Sequence, residues 1–326
     1  MHRASATAVP TASSVYRLAA GLSFAMMRLQ GWQIRVAGLE HIPRQGGAVL
    51  VSNHTSYWDF LTTGAGPYLA WGRPVRILAK ASLFDAPLVG PVMRRAGHIP
   101  VRRAAGARAL RDAVRALRSG ELVLVLPEQT ISPSFELLAF KQGAVRMAAA
   151  ARVPLVPAVS WGSHRFHTVG RRPRPVWGLP VSVRYGQALR PGPNDDPARL
   201  NAVLRRRMRR LLDSVQRSYP DGTPSGAWWV PARLGGGAPT SEQAAEYVSR
   251  LEETWKAAAE RLRHAREQVR HEAVQARERL DDAREAVRDE VHEQAQHARE
   301  RLQEGIEHTR DRLGRDPTSD RPADHR

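Results

Sequence analysis

Ala48-Val49-Leu50-Val51-Ser52-Asn53-His54-Thr55-Ser56-Tyr57-Trp58-Asp59-Phe60 is the stretch on which the reading of the fold turns. A short β-rich run gives way to polar, turn-forming residues, and a histidine at the strand end is followed five residues later by an acid. On one ideal helix an i,i+5 pair would stand about 140° apart. The two side chains can meet only if His54 lies in a loop and Asp59 in the first turn of the next helix. Asp59 would then accept a hydrogen bond from one ring nitrogen and leave the other free as a general base.

Outward from this stretch, further β-rich runs recur at Val75–Ala79, His98–Val101, Leu122–Leu126, Leu155–Val159 and Val181–Tyr185. Between or after them come the periodic, Ala-rich segments Ala107–Leu117 and Ala144–Ala151 and the strongly basic Ala198–Gln216. Strands alternating with helices predict an α/β fold. A Pro/Gly-rich stretch, Tyr219–Thr240, closes this region, and its Trp228–Trp229 pair predicts a linker that docks rather than flaps.

Beyond it, residues 241–313 contain no proline and a single glycine, Gly305. Apolar or small residues recur from Leu251 to Leu313 about every 3.65 residues, close to an 11-residue repeat and not to a heptad. The pattern predicts a long, nearly straight helix, whereas a heptad would supercoil to the left. Seven of the eighteen stripe positions are alanine, so little is buried per turn; the expectation is a helix that is solvated or loosely self-associating, as in a coiled coil, with one resting on a membrane or an unidentified partner as the alternative.

Charge divides along the same line. The 326 residues carry a net charge of +18, yet residues 1–240 hold 33 Lys and Arg against 11 Asp and Glu, and residues 241–313 hold 14 against 18. The basic region therefore wants an anionic partner: nucleic acid, an anionic membrane surface or a phosphorylated small molecule. The absence of cysteine excludes a disulfide framework, a Cys-ligated zinc and a cysteine nucleophile.

Near the start, Val15–Val36 is lipophilic, but Arg17 and Arg28 leave about ten uninterrupted uncharged residues where a span needs about 20. No cleavage site for a secretory signal follows. An interfacial amphipathic helix with Leu18, Leu22, Phe24, Met26 and Trp32 toward lipid competes with a core helix packed on the main domain.

Three more blocks follow the first: Gly97-His98-Ile99-Pro100-Val101-Arg102-Arg103, then Leu126-Pro127-Glu128-Gln129-Thr130-Ile131-Ser132, then Val153-Pro154-Leu155-Val156-Pro157. In order and spacing the four resemble the motif blocks of the glycerolipid acyltransferases, specifically the 1-acylglycerol-3-phosphate (lysophosphatidate) acyltransferase family, over about residues 37–190. The resemblance implies a mixed α/β sheet flanked by helices, here with a long C-terminal helical extension. It implies transfer of an acyl chain from acyl-CoA or acyl carrier protein to the free hydroxyl of a lysophospholipid, with no cofactor and no metal. His54 would be the base and Asp59 its orienting acid. Gly97, Arg103, Glu128 and Thr130 would form the substrate-binding set, with Arg103, helped by Arg102, on the acceptor's phosphate.

The sequence departs from the family where its third block usually reads E-G-T-R-S: the arginine is replaced by Ile131. Lys141, in the run Phe140-Lys141-Gln142-Gly143, is the candidate replacement cation, although an ammonium lacks an arginine's fork. A different lysolipid acceptor, or a membrane-associated scaffold built on a degenerate domain, are the alternatives. The location implied is peripheral or monotopic, at the cytoplasmic face of the cell membrane.

After the fourth block, Ser160-Trp161-Gly162-Ser163-His164-Arg165-Phe166-His167 mixes aromatic and cationic groups, as a headgroup-facing loop would. His164 and His167 lack a third ligand, so no metal is expected there. The run Arg205–Arg210 is basic, with Leu204, Leu211 and Leu212 placed as on a surface-lying helix; no nucleic-acid motif accompanies it, and nucleic acid is not an expected partner. The implied divisions are 1–36 as an N-terminal interfacial helix region, 37–218 as the acyltransferase domain, 219–240 as linker, 241–313 as the long helix, and 314–326 as a disordered tail.

Overall fold

The computed structural model describes residues 11–102 and 106–313. They fall into one unit reaching Arg250 and a second starting at Leu251. Arg103, and the expectation for 314–326, lie outside the described residues.

The chain runs through α1 (Ser14–Leu29), β1 (Gln33–Ala37), β2 (Ala48–Ser52), α2 (Asp59–Trp71), β3 (Val75–Lys80), α3 (Ala81–Asp85), α4 (Val89–Arg95), β4 (Ile99–Val101), α5 (Gly106–Arg118), β5 (Leu122–Val125), α6 (Gly143–Ala151), β6 (Leu155–Trp161), β7 (Pro180–Tyr185), α7 (Pro197–Arg217) and α8 (Ser241–Leu313). The strands form one sheet in the order β1-β7-β6-β2-β5-β3-β4. From β6 to β4 all neighbours are parallel, whereas β7 is antiparallel to β6 and pairs in parallel with β1. The sheet is mixed.

Strand β2 lies at the centre, and all five of its residues are buried. Their alternation divides two cores, as the two-residue period of a strand requires. Val49 and Val51 join Val123, Leu155 and Val159 on the face covered by α5, α6 and α7. Ala48 and Leu50 join Leu122, Leu124, Val156 and Met27 on the face covered by α1 and α2. Because β2, β5 and β6 are parallel, their C-terminal ends share one edge, and the loops at that edge are brought together.

Several expectations change. Residues 33–36 are not part of the N-terminal helix: Gly31 turns the chain with φ of +67°, and Gln33–Ala37 becomes an edge strand on β7. Of the residues expected to face lipid, Leu18 and Leu22 are exposed, whereas Phe24 and Met26 are half-buried against the core and Trp32 is inside it, edge-on to Trp58 and Phe166. Helix α1 is therefore both a core helix and a surface one.

Helix α7 does not offer its leucines to a surface. Asp196 caps it, accepting from the N–H groups of Ala198 (2.9 Å) and Arg199 (3.2 Å), and Pro197 starts it. Its apolar face, with Leu204, Met208, Leu212 and Val215 buried, covers the sheet.

The Pro/Gly-rich 219–240 packs into the same core through Tyr219, Trp229, Val230 and Ala238, so it is physically part of the α/β unit. The first residues of α8 are anchored too, with Ala244 buried and the Ser241 hydroxyl donating to the Glu136 carboxylate.

Candidate active site

The loop between β2 and α2 carries the site. His54 sits in that loop and Asp59 is the first residue of α2. This brings His54 Nδ1 to 3.3 Å from Asp59 Oδ2, with the imidazole 18% exposed and the carboxylate fully buried. The positive end of the α2 dipole favours a carboxylate at this position.

Asp59 Oδ2 also accepts the backbone N–H groups of Thr55 (2.6 Å) and Ser56 (2.7 Å), and Oδ1 accepts the Ser163 hydroxyl (2.9 Å). The acid is thus held by the turn it closes and by the loop after β6. That second loop clamps the first at three more points. Ser56 Oγ donates to the His167 carbonyl (2.8 Å), Thr168 Oγ1 donates to the Thr55 carbonyl (2.7 Å), and the rings of Tyr57 and His167 meet at 4.4 Å, tilted by 33°. Asn53 locks the strand end by exchanging two hydrogen bonds with the backbone of Ser160, at 2.8 and 3.0 Å.

Glu128 supports the histidine from below and does not reach outward. Its Oε1 accepts the His54 N–H (3.0 Å) and its Oε2 the Leu138 N–H (2.9 Å), and the side chain is buried. Glu128 was expected in the substrate-binding set; here both of its carboxylate oxygens accept main-chain N–H groups, one of them at His54. Arg205 ties the segment between β5 and α6, a strap beneath the His54 loop, to α7 by donating to the carbonyls of Leu137 (2.9 Å) and Leu138 (3.1 Å). Ser132 N–H closes the arrangement on the His54 carbonyl at 2.8 Å.

The remaining predicted residues are scattered by the fold. Thr130 is half-buried and Lys141 exposed, both in the loop after β5 at the same sheet edge; the Lys141 N–H bonds to the Pro127 carbonyl at 3.0 Å. Ile131 is turned inward, only 5% exposed. Arg102 is exposed directly beyond the C-terminal end of β4, on the edge that holds His54.

Gly97, expected in the substrate-binding set, is at the other end of that strand. It makes a left-handed turn with φ of +77°, and its carbonyl accepts from Arg76 Nη1 at 2.9 Å. A Cβ there would stand 3.0 Å from the Arg76 guanidinium, so glycine is required by the turn.

The headgroup reading of 160–167 also fails for its tryptophan. Trp161, Ser163 and His164 are completely buried, and Arg165 lies 4.3 Å over the Trp229 ring. Among the described residues no group of three or more His, Cys, Asp or Glu could hold a metal ion. Ser163, Asn53 and Arg205 were missed by sequence reasoning. Ser163 and Asn53 stand inside quoted motifs, but nothing local marks partners about a hundred residues away.

Gln129 occupies the position where the resembled family has glycine, and it adopts φ of +60°. A left-handed conformation costs a side-chain-bearing residue about 1–2 kcal/mol, and glycine's greater freedom in the unfolded chain returns about half of that. Gln129→Gly is expected to raise stability by about 0.5–1 kcal/mol, read as a higher urea midpoint.

Three buried groups give stability a pH optimum. Burial lowers His164 to about 3 and, with Arg76 nearby, His98 to about 4, against the ordinary 6.5. Both are neutral in the fold and bind a proton more readily in the unfolded chain, so stability falls as pH drops below 6.5. Glu128 has the opposite sign. Burial, against the pull of its two N–H donors, raises it from 4.5 to about 8, so its contribution is complete below 4.5 and is lost as pH rises toward 8. Each group acts with a slope of at most about 1.4 kcal/mol per pH unit. Between 4.5 and 6.5 two histidines outweigh one glutamate, and above 6.5 the glutamate acts alone. Urea midpoints should peak near pH 6.5, and Glu128→Gln should flatten the alkaline limb.

Comparison with known proteins finds relatives for both parts of the chain. Residues 33–161, from the first residue of β1 to the last of β6, match the family described as Acyltransferase, and residues 240–318 match a family described as gas vesicle protein GvpQ-like. A 1-acyl-sn-glycerol-3-phosphate acyltransferase of Limnanthes alba is 33% identical over 164 residues, 48% of this chain and 54% of the plant protein. The protein of that name from Borreliella burgdorferi is 31% identical over 159 residues, 44% of this chain and 61% of its own. This chain thus spans about half the length of the curated relatives it matches. The crystal structure of the 1-acyl-sn-glycerophosphate acyltransferase PlsC from Thermotoga maritima shares the fold, with a TM-score of 0.52 at 22% identity, covering 63% of this chain and 80% of that one. With a histidine and a buried aspartate joined at the carboxyl edge of a mixed sheet of that fold, the α/β unit is similar in sequence to acyltransferases, the 1-acyl-sn-glycerol-3-phosphate acyltransferases among them, and shares the fold of PlsC.

Proposed function

We propose that the chain transfers an acyl group from a thioester, acyl-CoA or acyl carrier protein, to the free hydroxyl of a lysophospholipid, with 1-acylglycerol-3-phosphate the first candidate and phosphatidate its product. The observation that carries this is the His54–Asp59 pair, whose acid is fixed by three further donors while the histidine ring keeps access to solvent. Nδ1–H donates to Asp59, which leaves Nε2 to take the proton of the acceptor hydroxyl. The hydroxyl oxygen attacks the thioester carbonyl, the C–S bond breaks as the tetrahedral intermediate collapses, and the His54 imidazolium returns its proton to the departing thiolate. No cysteine is available to hold the acyl group in between.

Arg102 and Lys141, both exposed at the same edge, are the described cations that could meet a phosphate, joined by Arg103 in sequence. No helix among the described residues is long and apolar enough to cross a membrane. A peripheral or monotopic membrane contact is supported by exposed Leu18, Leu22 and Leu29 on α1 and by Leu88 and Trp177, which are 87% and 76% exposed; the cytoplasmic face is the side proposed, because the acyl donor is met there.

The test is incubation of the purified chain in detergent with labelled acyl donors and a panel of lysolipids. Acylation of lysophosphatidate is expected. If no lysolipid is acylated the reading falls, and if only phosphate-free acceptors react, Ile131 defines the specificity and lysophosphatidate is ruled out.

A further inference from the structure

Within α8 the sequence repeats five times in blocks of eleven: Ala259–Val269, Arg270–Leu280, Asp281–Val291, His292–Leu302 and Gln303–Leu313. Every block ends in Leu or Val. Three positions earlier stands an arginine in each, at 266, 277, 288, 299 and 310, and it is followed in each by an acid. Eleven residues make three turns, so each position forms a straight file along the helix. The arginine file lies about 65° from the Leu/Val file, beside the apolar stripe, and the acidic file about 165° away, on the opposite pole.

The stripe is uncovered: Leu262, Val269, Leu280, Val287, Val291 and Leu302 are each 58–66% exposed. Charge decides what suits it. An antiparallel second copy would set arginine file against arginine file. A parallel one would set it against a largely uncharged file and one holding Arg279, Glu290, Arg301 and Arg312, so neither arrangement offers the arginines an acidic row. A lipid surface with anionic headgroups does: leucines and valines enter the acyl boundary while the arginines beside them extend to phosphate. Most of the acids face away across a helix about 10–12 Å wide, more than the screening length of about 8 Å at physiological salt, with Glu272 the acid beside the stripe against five arginines in the file on its other side, so the net negative charge of 241–313 does not oppose this.

We infer that residues 259–313 of α8 form a second lipid-binding element, which lies flat on an anionic lipid surface through its Leu/Val stripe and flanking arginine file, independently of the acyltransferase site. The chain has no cysteine, so single labels can read the helix directly in the full-length protein. An environment-sensitive fluorophore on Val291→Cys is expected to shift to the blue on phosphatidylglycerol vesicles and to be quenched by lipid-borne nitroxides, with little effect on phosphatidylcholine. The same probe on Glu278→Cys, at the acidic pole, should remain in water. Changing Arg266, Arg277, Arg288 and Arg299 to Glu should weaken the partition read at position 291 at least about tenfold, whereas Lys at all four should preserve it. A probe at 291 that stays aqueous on anionic vesicles, equal shifts at 291 and 278, or a shift in lipid-free buffer that grows with protein concentration would each overturn the inference, the last by giving the stripe to a second copy.

Discussion

His54→Ala is expected to lower kcat by about a thousandfold, within the 10²–10⁴ that a positioned general base contributes, while the fold and its urea midpoint stay as they are. The geometry separates the two effects. The loop is held by main-chain groups at residue 54, the N–H on Glu128 Oε1 (3.0 Å) and the carbonyl under Ser132 N–H (2.8 Å), and alanine keeps both. The imidazole itself is partly open to solvent, and it hydrogen-bonds to Asp59. Steady-state rates with a labelled acyl donor, alongside denaturant titration, check this. A loss of less than tenfold in kcat would remove His54 from the chemistry.

Asp59→Ala has a different consequence, because this side chain supports structure as well as the base. Its removal leaves the buried N–H groups of Thr55 and Ser56 and the Ser163 hydroxyl without their acceptor. Each buried donor left unpaired costs about 1–3 kcal/mol, so a loss of about 3–5 kcal/mol in unfolding free energy is expected, a large share of a typical domain's 5–15 kcal/mol.

Asp59→Asn distinguishes orientation from folding. The amide oxygen can take the place of Oδ2 and keep the two N–H bonds, and the Ser163 hydroxyl can rotate to accept from the new NH2. What disappears is the negative charge that stabilises the imidazolium. The Asn variant should therefore remain folded yet lose about 10²–10⁴ in kcat. An active Asn variant would limit Asp59 to a structural role.

Much of the fold was legible locally. Six of the seven strands stand within two residues of the β-rich runs, since short apolar runs bounded by turns report burial directly. Strand β1 was not, because an edge strand with alternating exposure adjoins an amphipathic helix and the two patterns run together. The long helix was legible because its period of about 3.65 is sustained over many turns.

The His54–Asp59 pair was also determined by sequence alone, since five residues and a helix start suffice to close it. What only the tertiary structure decided is what surrounds the pair. Ser163 reaches Asp59 across 104 residues, Asn53 binds Ser160 across 107, and Arg205 of a helix that looked ready for a surface holds the strap beneath the histidine. Gly97 and Arg102 are close in sequence and are separated by the strand between them, and of the two Arg102 is at the edge that carries His54. A local pattern fixes which residues can meet across a turn. Which distant loops share the edge of a sheet depends on strand order, and that is set by packing over the whole core.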